Sequence, residues 1–314
     1  MDIVILGAGA MGSFFGGLLA KNGSQVTLVD VNETHVGAIK ERGLILEVEG
    51  DSERIQVDAT VNSKEVSNAD LVILFCKYPD TESALSEAMS YIKPSTYIWT
   101  LQNGIGNVEK IKKFVEENRI VKGLTSATAI IQGPGHVSTN FKGNTETYYW
   151  PLSGVDNQLL SDAAEALSTA GLPTFPAPDI DYRIWRKLVI NSALTVISGF
   201  NNTRIGDAYF NDPGRDLCEK VVMELVEVAQ ACGIPLELED ALSYLEQLAN
   251  SAVDHVGSTT ISLQLKEKTE VDTMNGAIVR AGKLHNIPTP VNETIVQIVK
   301  LIEETATVRL SPSI

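Results

Sequence analysis

The feature that most constrains this chain is a glycine pattern close to its amino terminus. Residues 7–12 read GAGAMG, which matches the spacing GxGxxG, and they directly follow the apolar run IVIL at residues 3–6. Between a strand and a helix, the first glycine permits a tight turn and the second leaves room for a pyrophosphate. The third lets the helix pack closely on the strand. The pattern predicts a dinucleotide site, and the alternative is a glycine turn that serves packing alone.

The uncharged stretch at residues 3–20 has to be distinguished from a signal peptide or a membrane span. It is preceded only by Met1 and Asp2, so it has no basic flank, and glycines interrupt its apolar character throughout. Signal peptides carry a basic segment before the apolar run. We therefore interpret the stretch as a buried strand, a turn and a helix.

Strand-like and helix-like segments alternate over the first half of the chain. Apolar runs at residues 2–6, 25–30, 71–76, 97–101 and 120–124 are separated by helix-permitting segments that include 11–22, 81–92 and 108–117. Such alternation is typical of a parallel α/β sheet. Residues 133–151 combine turn signals with β-formers and predict an antiparallel addition to the sheet, and residues 156–170 predict one more helix.

A proline-spaced segment marks the predicted domain boundary. Pro173, Pro176 and Pro178 fall within six residues, and such a segment cannot continue a helix. Beyond it, residues 183–198, 215–232, 237–252 and 270–285 have helical periodicity. We expect an α/β chain with a Rossmann-type doubly wound parallel sheet at 1–178, the dinucleotide-binding domain, followed by an all-α substrate and catalytic domain at 179–314.

Charge and cysteine content exclude several function classes. The chain of 314 residues has 25 basic and 40 acidic side chains, a formal net charge of −15. This balance argues against nucleic acid or an anionic membrane as the main partner. The three cysteines form no CxxC pattern, so we expect no disulfide framework, no metal site and a cytoplasmic location. The helical domain is a candidate homodimer surface.

A polar stripe occurs at the start of the predicted helical domain. Lys187, Asn191 and Thr195 recur every four residues, and four residues advance an α-helix by roughly 400°. The three side chains should therefore lie on one face of a helix whose other faces are apolar. A cleft wall and a solvated helix face are the two interpretations of this stripe.

Two polar residues directly follow predicted strands. Lys77 comes after LVILFC, and Asn103 comes after YIWTL in the segment LQNG. Ligands of open α/β sheets bind at the carboxyl ends of parallel strands, which makes both residues candidates. The histidines have no supporting pattern and are interpreted as surface or core residues rather than catalysts: His35, His136, His255 and His285.

Taken in order along the chain, the motifs resemble the ketopantoate reductase family. They are GAGAMG at 7–12, Lys77, LQNG at 101–104, WRKLVIN at 185–191 and TEVD at 269–272. The resemblance spans almost the whole chain, and the ordered set is much more specific than any single motif. It implies reduction of 2-dehydropantoate, a small 2-oxo acid, to pantoate on the route to pantothenate and coenzyme A.

The resemblance also implies roles for individual residues. Lys187 matches the general acid, Asn191 the residue that holds the substrate, and Ser258 the residue that binds the substrate carboxylate. Asn103 matches the residue that places nicotinamide and substrate together, and Glu270 one that contacts cofactor or substrate and belongs to the catalytic set. Burial should lower the pKa of the lysine, whereas Glu270 should raise it.

Two departures from the family pattern keep the substrate open. Thr195 stands where the family commonly has a second asparagine, and residues 258–262 read STTIS instead of the usual stretch before TE. One alternative is therefore a related NAD(P)-dependent reductase of another 2-oxo or 3-hydroxy acid. The other is a non-catalytic nucleotide-binding regulator, in which Lys187 and Glu270 would be dispensable.

The cofactor prediction departs from the family habit. Most family members use NADPH and commonly carry a basic residue after the second strand, whereas this chain has Asp30 and Val31 there. Asp30 can accept hydrogen bonds from a ribose 2′-hydroxyl but would repel a 2′-phosphate, so NADH is favoured over NADPH unless Lys40 or Arg42 folds back. The expected cofactor-binding residues are Gly7, Ala8, Gly9, Ala10, Met11, Gly12, Asp30, Lys77, Asn103 and Glu270, and the expected substrate-binding residues are Asn103, Lys187, Asn191, Thr195 and Ser258.

Overall fold

The computed structural model describes residues 1–139 and 145–307, and the chain divides into two compact units. The first unit consists of Met1–Gln102 and Asn107–Ile180. The second consists of Asn103–Gly106 and the chain from Asp181 onward. The short segment Asn103–Gly106, which the predicted boundary at residue 178 leaves in the first domain, thus clusters with the helical unit.

The first unit is built on an eight-stranded sheet in the order β12-β11-β8-β7-β6-β1-β2-β5. Its strands are β1 (Asp2–Leu6), β2 (Gln25–Val29), β5 (Asp58–Thr60), β6 (Ala69–Leu74), β7 (Ile92–Thr100), β8 (Ile120–Thr125), β11 (Thr147–Pro151) and β12 (Thr174–Pro176), and a second sheet contains β3 (Leu44–Val48), β4 (Asp51–Ile55), β9 (Ile130–Gly133) and β10 (His136–Thr139). Neighbouring strands from β5 to β8 are parallel, and β11 runs antiparallel to β8. The strand order reverses at β1, which is where ligands of doubly wound sheets bind.

Helices cover both faces of this sheet. They are α1 (Ala10–Lys21), α2 (Glu33–Arg42), α3 (Thr81–Ala88), α4 (Asn107–Ile111) and α5 (Gln158–Thr169). In β1, Ile3 and Ile5 pack into one buried cluster, and Val4 and Leu6 pack into another. Successive strand residues point to opposite faces, so a continuous apolar run such as IVIL is what a strand buried on both faces requires. Each such fully buried side chain contributes about 1.5–3 kcal/mol.

The four-stranded sheet was not predicted. Its order is β4-β3-β10-β9, and β10 pairs parallel with β3. The predicted antiparallel region at 133–151 is therefore divided: β9 and β10 belong to the second sheet, whereas β11 joins the main one. Residues 140–144 of that region lie outside the described residues. The DSERI sequence of β4 is mostly exposed, which is why no apolar run marked it.

Two predicted helices of the first unit are too long. The helix predicted at 81–92 ends at Ala88, because β7 begins at Ile92, and the helix predicted at 108–117 ends at Ile111. After Ile111 the chain turns, with the Phe114 N–H donating to the Ile111 carbonyl at 2.9 Å. Local periodicity continues past both points, but the pairing of β7 and the turn end the helices.

Most of the second unit lies at residues 181–307, as far as the structure describes it. The regular secondary structure of these residues is helical. The helices are α6 (Ile180–Ile190), α7 (Val196–Asn201), α8 (Ile205–Tyr209), α9 (Asp212–Ala231), α10 (Leu238–Ser251), α11 (Ser258–Gln264), α12 (Asn275–His285) and α13 (Pro290–Glu304). Val221, Val222 and Leu225 of α9 are fully buried in the core of this unit. Across residues 1–139 and 145–307, no helix has the length and apolar character needed to cross a membrane.

A π-helical turn, Asn191–Thr195, lies between α6 and α7. The Val196 N–H donates to the Asn191 carbonyl, five residues back, instead of to a carbonyl four residues back. The regular helix predicted at 183–198 is therefore wrong over these residues, and a four-residue spacing no longer completes one turn. Single π-turns inside helices frequently occur at functional sites.

A buried polar network supports this turn. Glu224 of α9 accepts hydrogen bonds from the backbone N–H groups of Val291 and Asn292 at 2.8 and 2.9 Å, and from Asn292 Nδ2 at 2.7 Å. Asn275 Nδ2 in turn donates to Asn292 Oδ1 at 2.9 Å and to the Ser192 carbonyl, inside the π-turn, at 3.1 Å. Asn275 and Asn292 are fully buried, so water cannot hydrogen-bond to their side-chain amides. The partners of these amides must therefore come from the protein.

Breaking this network should destabilise the helical unit. In Asn292→Leu, Glu224 loses a donor and Asn275 loses an acceptor, so we expect the free energy of unfolding to fall by about 1–3 kcal/mol. Asn250→Leu is the matched control, since Asn250 is exposed on α10 and bonds only within its own helix. Urea denaturation of both variants measures the effect. Equal stability of the two would contradict the importance assigned to the network.

Candidate functional site

The glycine loop between β1 and α1 has a backbone that only glycine fits at its first position. Gly7 has a φ of +99°, and a Cβ atom there would lie 2.3 Å from the Cys76 nitrogen. The Gly7 N–H donates to the Val29 carbonyl at the end of β2 at 2.8 Å. The loop is thus held between β1, β2 and the segment that follows β6.

The rest of the loop fits the pyrophosphate of a dinucleotide. A Cβ on Gly9 would meet nothing within 4 Å, so there is open space beside this residue, whereas a Cβ on Gly12 would lie 1.9 Å from the Gly7 carbonyl oxygen. The first turn of α1, with Ala10 and Met11, presents backbone N–H groups that have no partner within the helix. Ala8 is buried and helps to anchor the loop. This cradle is suited to an anion.

Asp30 directly follows β2 and lies next to β5. Its N–H donates to the Thr60 carbonyl at 3.2 Å, and its Oδ1 accepts from the Asn32 N–H at 2.9 Å. Asn32 in turn caps α2 by accepting from the His35 N–H at 3.0 Å. Val31, between them, is 89% exposed. The carboxylate is therefore held in place by its own turn.

Two basic side chains of α2, Lys40 and Arg42, both lie next to carboxylates. Lys40 Nζ lies 3.4 Å from Glu65 Oε2, and Arg42 Nε lies 3.9 Å from Glu41 Oε2. Both pairs are exposed, so their contribution to stability is small.

Lys77 follows β6 and starts a 3₁₀ turn, Tyr78–Asp80. Gln102, two residues after β7, holds the chain just before Lys77: Gln102 Nε2 donates to the Cys76 carbonyl at 2.7 Å and to Thr81 Oγ1 at 2.9 Å. Gln102 belongs to the LQNG segment, but no role for it was predicted from the sequence. Its position one residue before Asn103 was the available signal.

In the second unit, three predicted site residues form one hydrogen-bonded chain. Lys187 Nζ donates to Asn103 Oδ1 at 2.9 Å, and Asn103 Nδ2 donates to Glu270 Oε2 at 3.0 Å. All three residues are half-buried. Residues separated by 84 and 167 positions along the chain are thus brought together as an ammonium, an amide and a carboxylate.

Asn103 reaches this position because the segment after it docks on the turn after Glu270. The Ile105 N–H donates to the Thr273 carbonyl at 2.9 Å. Gly104 has a φ of +80°, and a Cβ atom there would lie 2.1 Å from that carbonyl oxygen. Only glycine permits this approach.

The predicted helix at 270–285 begins at Asn275 instead, and this part of the prediction is wrong. The Thr273 N–H and Oγ1 both donate to the Glu270 carbonyl at 3.0 Å, which closes a turn before the helix. Glu303 of α13 anchors Thr269, the residue before Glu270. Glu303 Oε1 accepts from the Thr269 N–H at 2.8 Å and from Thr269 Oγ1 at 2.6 Å. No pattern in the sequence pointed to Glu303.

The environment of Lys187 shifts its protonation. Burial lowers the pKa of Lys187 from its ordinary value to about 8, and the negative charge of Glu270 opposes this shift by raising the pKa. Removing a charged ammonium from water disfavours the charged form, whereas a nearby carboxylate favours it. Burial is the larger of the two effects, so the net result is a pKa below that of an ordinary lysine.

The other predicted substrate residues lie on and beside the π-turn. Asn191 begins the turn and is half-buried, whereas Thr195 ends it and is 7% exposed. A Cβ on Gly257 would lie 2.8 Å from Thr195 Cγ2, so the residue before α11 packs directly on Thr195. Ser258, the first residue of α11, is exposed. The π-turn and the start of α11 thus pack against each other.

Within residues 1–139 and 145–307, no three His, Cys, Asp or Glu side chains are grouped so that they could hold a metal ion.

Comparison with family models gives matches over most of the chain. Residues 3–151 match the model described as ketopantoate reductase PanE/ApbA, and residues 179–303 match the model of its C-terminal domain. The chain is 32% identical to 2-dehydropantoate 2-reductase of Lactococcus lactis over 311 residues, covering 97% of this chain and 98% of that protein. It is 33% identical to the enzyme of the same name from Pyrococcus horikoshii over 303 residues, covering 96% and 98%.

Solved structures share the architecture. A ternary structure of D-mandelate dehydrogenase with NADH and anilino(oxo)acetate is 30% identical, covers 98% of this chain and 99% of its own, and superposes with a TM-score of 0.91. A PanE/ApbA family ketopantoate reductase from Ralstonia eutropha is 29% identical with the same coverage and a TM-score of 0.88. The predicted fold class, a doubly wound sheet followed by a helical region, is confirmed.

The opposing effects on Lys187 can be separated by one substitution. Glu270→Gln removes the charge that raises the pKa of Lys187, so we expect that pKa to fall below about 8. The rate at which an amine-reactive reagent labels Lys187, followed by mass spectrometry over a pH series, reports it. Asp272→Asn, in the same turn but paired with Lys300 at 2.7 Å, should leave the profile unchanged. A profile that moves upward in Glu270→Gln would contradict the assignment.

Proposed function

The chain belongs to the ketopantoate reductase family, and from this premise we propose that it is an oxidoreductase that uses NAD(P)H to reduce the keto group of a 2-oxo acid. The first candidate substrate is 2-dehydropantoate, which would give pantoate for pantothenate and coenzyme A synthesis in the cytoplasm. The observation that carries the proposal is the chain from Lys187 through Asn103 to Glu270. A homodimer formed through the helical unit belongs to the same proposal.

Lys187 is proposed as the general acid. A reduced nicotinamide, when bound, supplies the hydride. Negative charge then develops on the former carbonyl oxygen, and an ammonium group stabilises that charge before it transfers its proton. With a pKa of about 8, Lys187 is largely protonated at neutral pH and gives up its proton more readily than an ordinary lysine.

Asn103 and Glu270 are proposed to orient this acid. The Asn103 carbonyl oxygen accepts from Lys187 while its amide donates to Glu270, so the lysine is held in one direction. Glu270 also keeps the pKa of Lys187 from falling further, since its charge favours the ammonium form. On the substrate side, the family resemblance supports Asn191 and Ser258 as hydrogen-bonding residues.

A second candidate function is the reduction of another 2-oxo acid. Thr195 presents a short hydroxyl where the family commonly has an asparagine, and its methyl group packs against Gly257. The structural similarity to D-mandelate dehydrogenase, with a TM-score of 0.91, favours testing substrates beyond 2-dehydropantoate. A non-catalytic regulator ranks last, because Lys187 and Glu270 are both present and hydrogen-bonded to one amide.

NADH is proposed as the preferred cofactor. Asp30 is fixed by the Asn32 N–H at the end of β2, where a carboxylate accepts from a ribose 2′-hydroxyl and repels a 2′-phosphate. Lys40 lies beside the Glu65 carboxylate, and Val31 offers no charge. The solved D-mandelate dehydrogenase complex contains NADH, which agrees with this choice.

Substrate profiling tests the reaction and its substrate together. We expect anaerobic oxidation of reduced cofactor with 2-oxo acids, and 2-dehydropantoate should give the highest kcat/KM in a panel of hydroxylated, aliphatic and aromatic side chains. A higher value for an aromatic 2-oxo acid would favour the second candidate function. No turnover with any 2-oxo acid would contradict the reductase proposal.

Lys187→Ala should abolish most of the catalysis while leaving dinucleotide binding intact. Because Lys187 acts on charge that appears mainly in the transition state, turnover should fall on the order of 10²-fold or more. In the unchanged protein, kcat/KM for reduction should decline as the pH rises through about 8, since the acid loses its proton. Lys220→Ala, an exposed pair partner of Asp216 on α9, is the control. Near-normal turnover of Lys187→Ala would rule out the role.

The cofactor preference is checked by kcat/KM for NADH and NADPH under one set of conditions. We expect NADH to be favoured, Asp30→Ala to reduce the preference and Val31→Arg to shift it toward NADPH by supplying a cation at an exposed position. If the unchanged protein favours NADPH about tenfold or more, a difference of about 1.4 kcal/mol, the role given to Asp30 is wrong.

A further inference from the structure

His35, which is predicted from the sequence to be a surface or core histidine, lies in the interior of the first unit beside the glycine loop. It is only 3% exposed and sits in the first turn of α2. Its ring contacts two other segments: the Gly135 N–H lies 3.2 Å from Nδ1, and Ser13 Oγ lies 3.1 Å from Nε2. Ser13, in α1, is fully buried and donates to the Ala8 carbonyl at 2.8 Å.

The chemistry of these groups sets the direction of every hydrogen bond. A backbone N–H can only donate, so Nδ1 of His35 is the acceptor and the ring proton is on Nε2. Nε2 then donates to Ser13 Oγ, whose own proton goes to the Ala8 carbonyl oxygen. The neutral ring is therefore the form that fits. Burial lowers the pKa of His35 and the charge of Asp30 raises it, with burial the larger effect.

The last bond of this chain controls the peptide between Ala8 and Gly9. None of the described peptide bonds is cis, and in a trans peptide the C=O and N–H groups point in opposite directions. With its carbonyl held by Ser13, this peptide directs the Gly9 N–H away from the Ser13 hydroxyl. The space beside Gly9 is open, because a Cβ atom added to this residue would meet no atom within 4 Å. The orientation suits an anion outside the loop.

We propose that His35 and Ser13 are positioning residues for dinucleotide binding, which hold the Ala8–Gly9 peptide so that its N–H can donate to the pyrophosphate. The inference rests on the cofactor assigned under the proposed function. Two neighbours hold His35 besides Ser13: Asn32 Oδ1 accepts from its backbone N–H, and the Gly135 N–H donates to its ring. The Gly135 segment itself lies close to α2, since a Cβ atom on Gly135 would lie 3.1 Å from the Ala38 Cβ. The position of the ring is therefore fixed, and its hydrogen bond to Ser13 helps to fix the position of the glycine loop.

Ser13→Ala is the direct test, because alanine suits the helix and removes only the hydroxyl. Binding of NADH and of NADPH is measured by fluorescence titration without substrate. We expect Kd for both dinucleotides to rise about tenfold, the scale of one buried hydrogen bond, while kcat at saturating cofactor and the substrate KM stay within about twofold. A loss of folding alone would instead lower kcat per total protein and leave the Kd of the folded fraction unchanged.

Thr96→Val is the matched control. Thr96 is also fully buried in the first unit, and its Oγ1 donates to the Ala69 carbonyl at 2.6 Å, at the opposite end of the strands. Its loss should reduce thermal stability as Ser13→Ala does but leave the dinucleotide Kd unchanged. The comparison separates lost stability from lost positioning.

Variants of His35 test whether the two residues act as one chain. His35→Leu should weaken dinucleotide binding, His35→Gln should restore part of it because its amide can donate to Ser13, and Ser13→Ala combined with His35→Leu should bind no more weakly than Ser13→Ala alone. Ser13→Ala with the Kd of Thr96→Val would overturn the inference and leave the proposed function standing. If the unchanged protein bound no dinucleotide, the proposed function would fail and this inference with it.

Discussion

The hydrogen-bonded chain from Lys187 through Asn103 to Glu270 is the interaction on which the rest of the proposed chemistry depends. Lys187 lies in α6 and Glu270 lies in the turn before α12, whereas Asn103 arrives from the sequence of the first unit through a four-residue excursion, Asn103–Gly106, that clusters with the second unit. That excursion requires Gly104, since a side chain there would collide with the Thr273 carbonyl. The absence of a side chain at residue 104 thus allows the Asn103 amide to lie between the Lys187 ammonium and the Glu270 carboxylate.

The electrostatics of Lys187 follow from a competition between two physical effects. Desolvation favours a neutral amine, and the Glu270 charge favours an ammonium ion. With the pKa at about 8, the group is charged at neutral pH and yet close to the pH at which it can release a proton. The surrounding structure maintains that balance: Glu303 fixes the residue before Glu270, and the Asn275 amide supports the π-turn that follows Lys187.

In the first unit, burial of both sheet faces leaves the carboxyl edge of the strands as the place for exposed backbone donors. Ile5 and Leu6 pack into the apolar clusters on opposite faces of β1. The chain then leaves the sheet at Gly7, which has no side chain to bury. The loop that follows is polar only through its backbone. Its orientation therefore depends on neighbours such as Ser13, whose hydroxyl donates a hydrogen bond to the Ala8 carbonyl.

The sequence by itself determined the fold class, the glycine loop, the family resemblance and the identity of Lys187, Asn103 and Glu270 as candidates. These depend on local patterns, because strand and helix periodicity and the GxGxxG spacing are properties of neighbouring residues. Only the tertiary structure revealed the four-stranded sheet, the π-turn at Asn191–Thr195 and the contributions of Glu303 and His35. Each of these depends on contacts between residues far apart in the chain. The pKa of Lys187 belongs to the same class, because burial is a property of the folded protein and not of any segment of it.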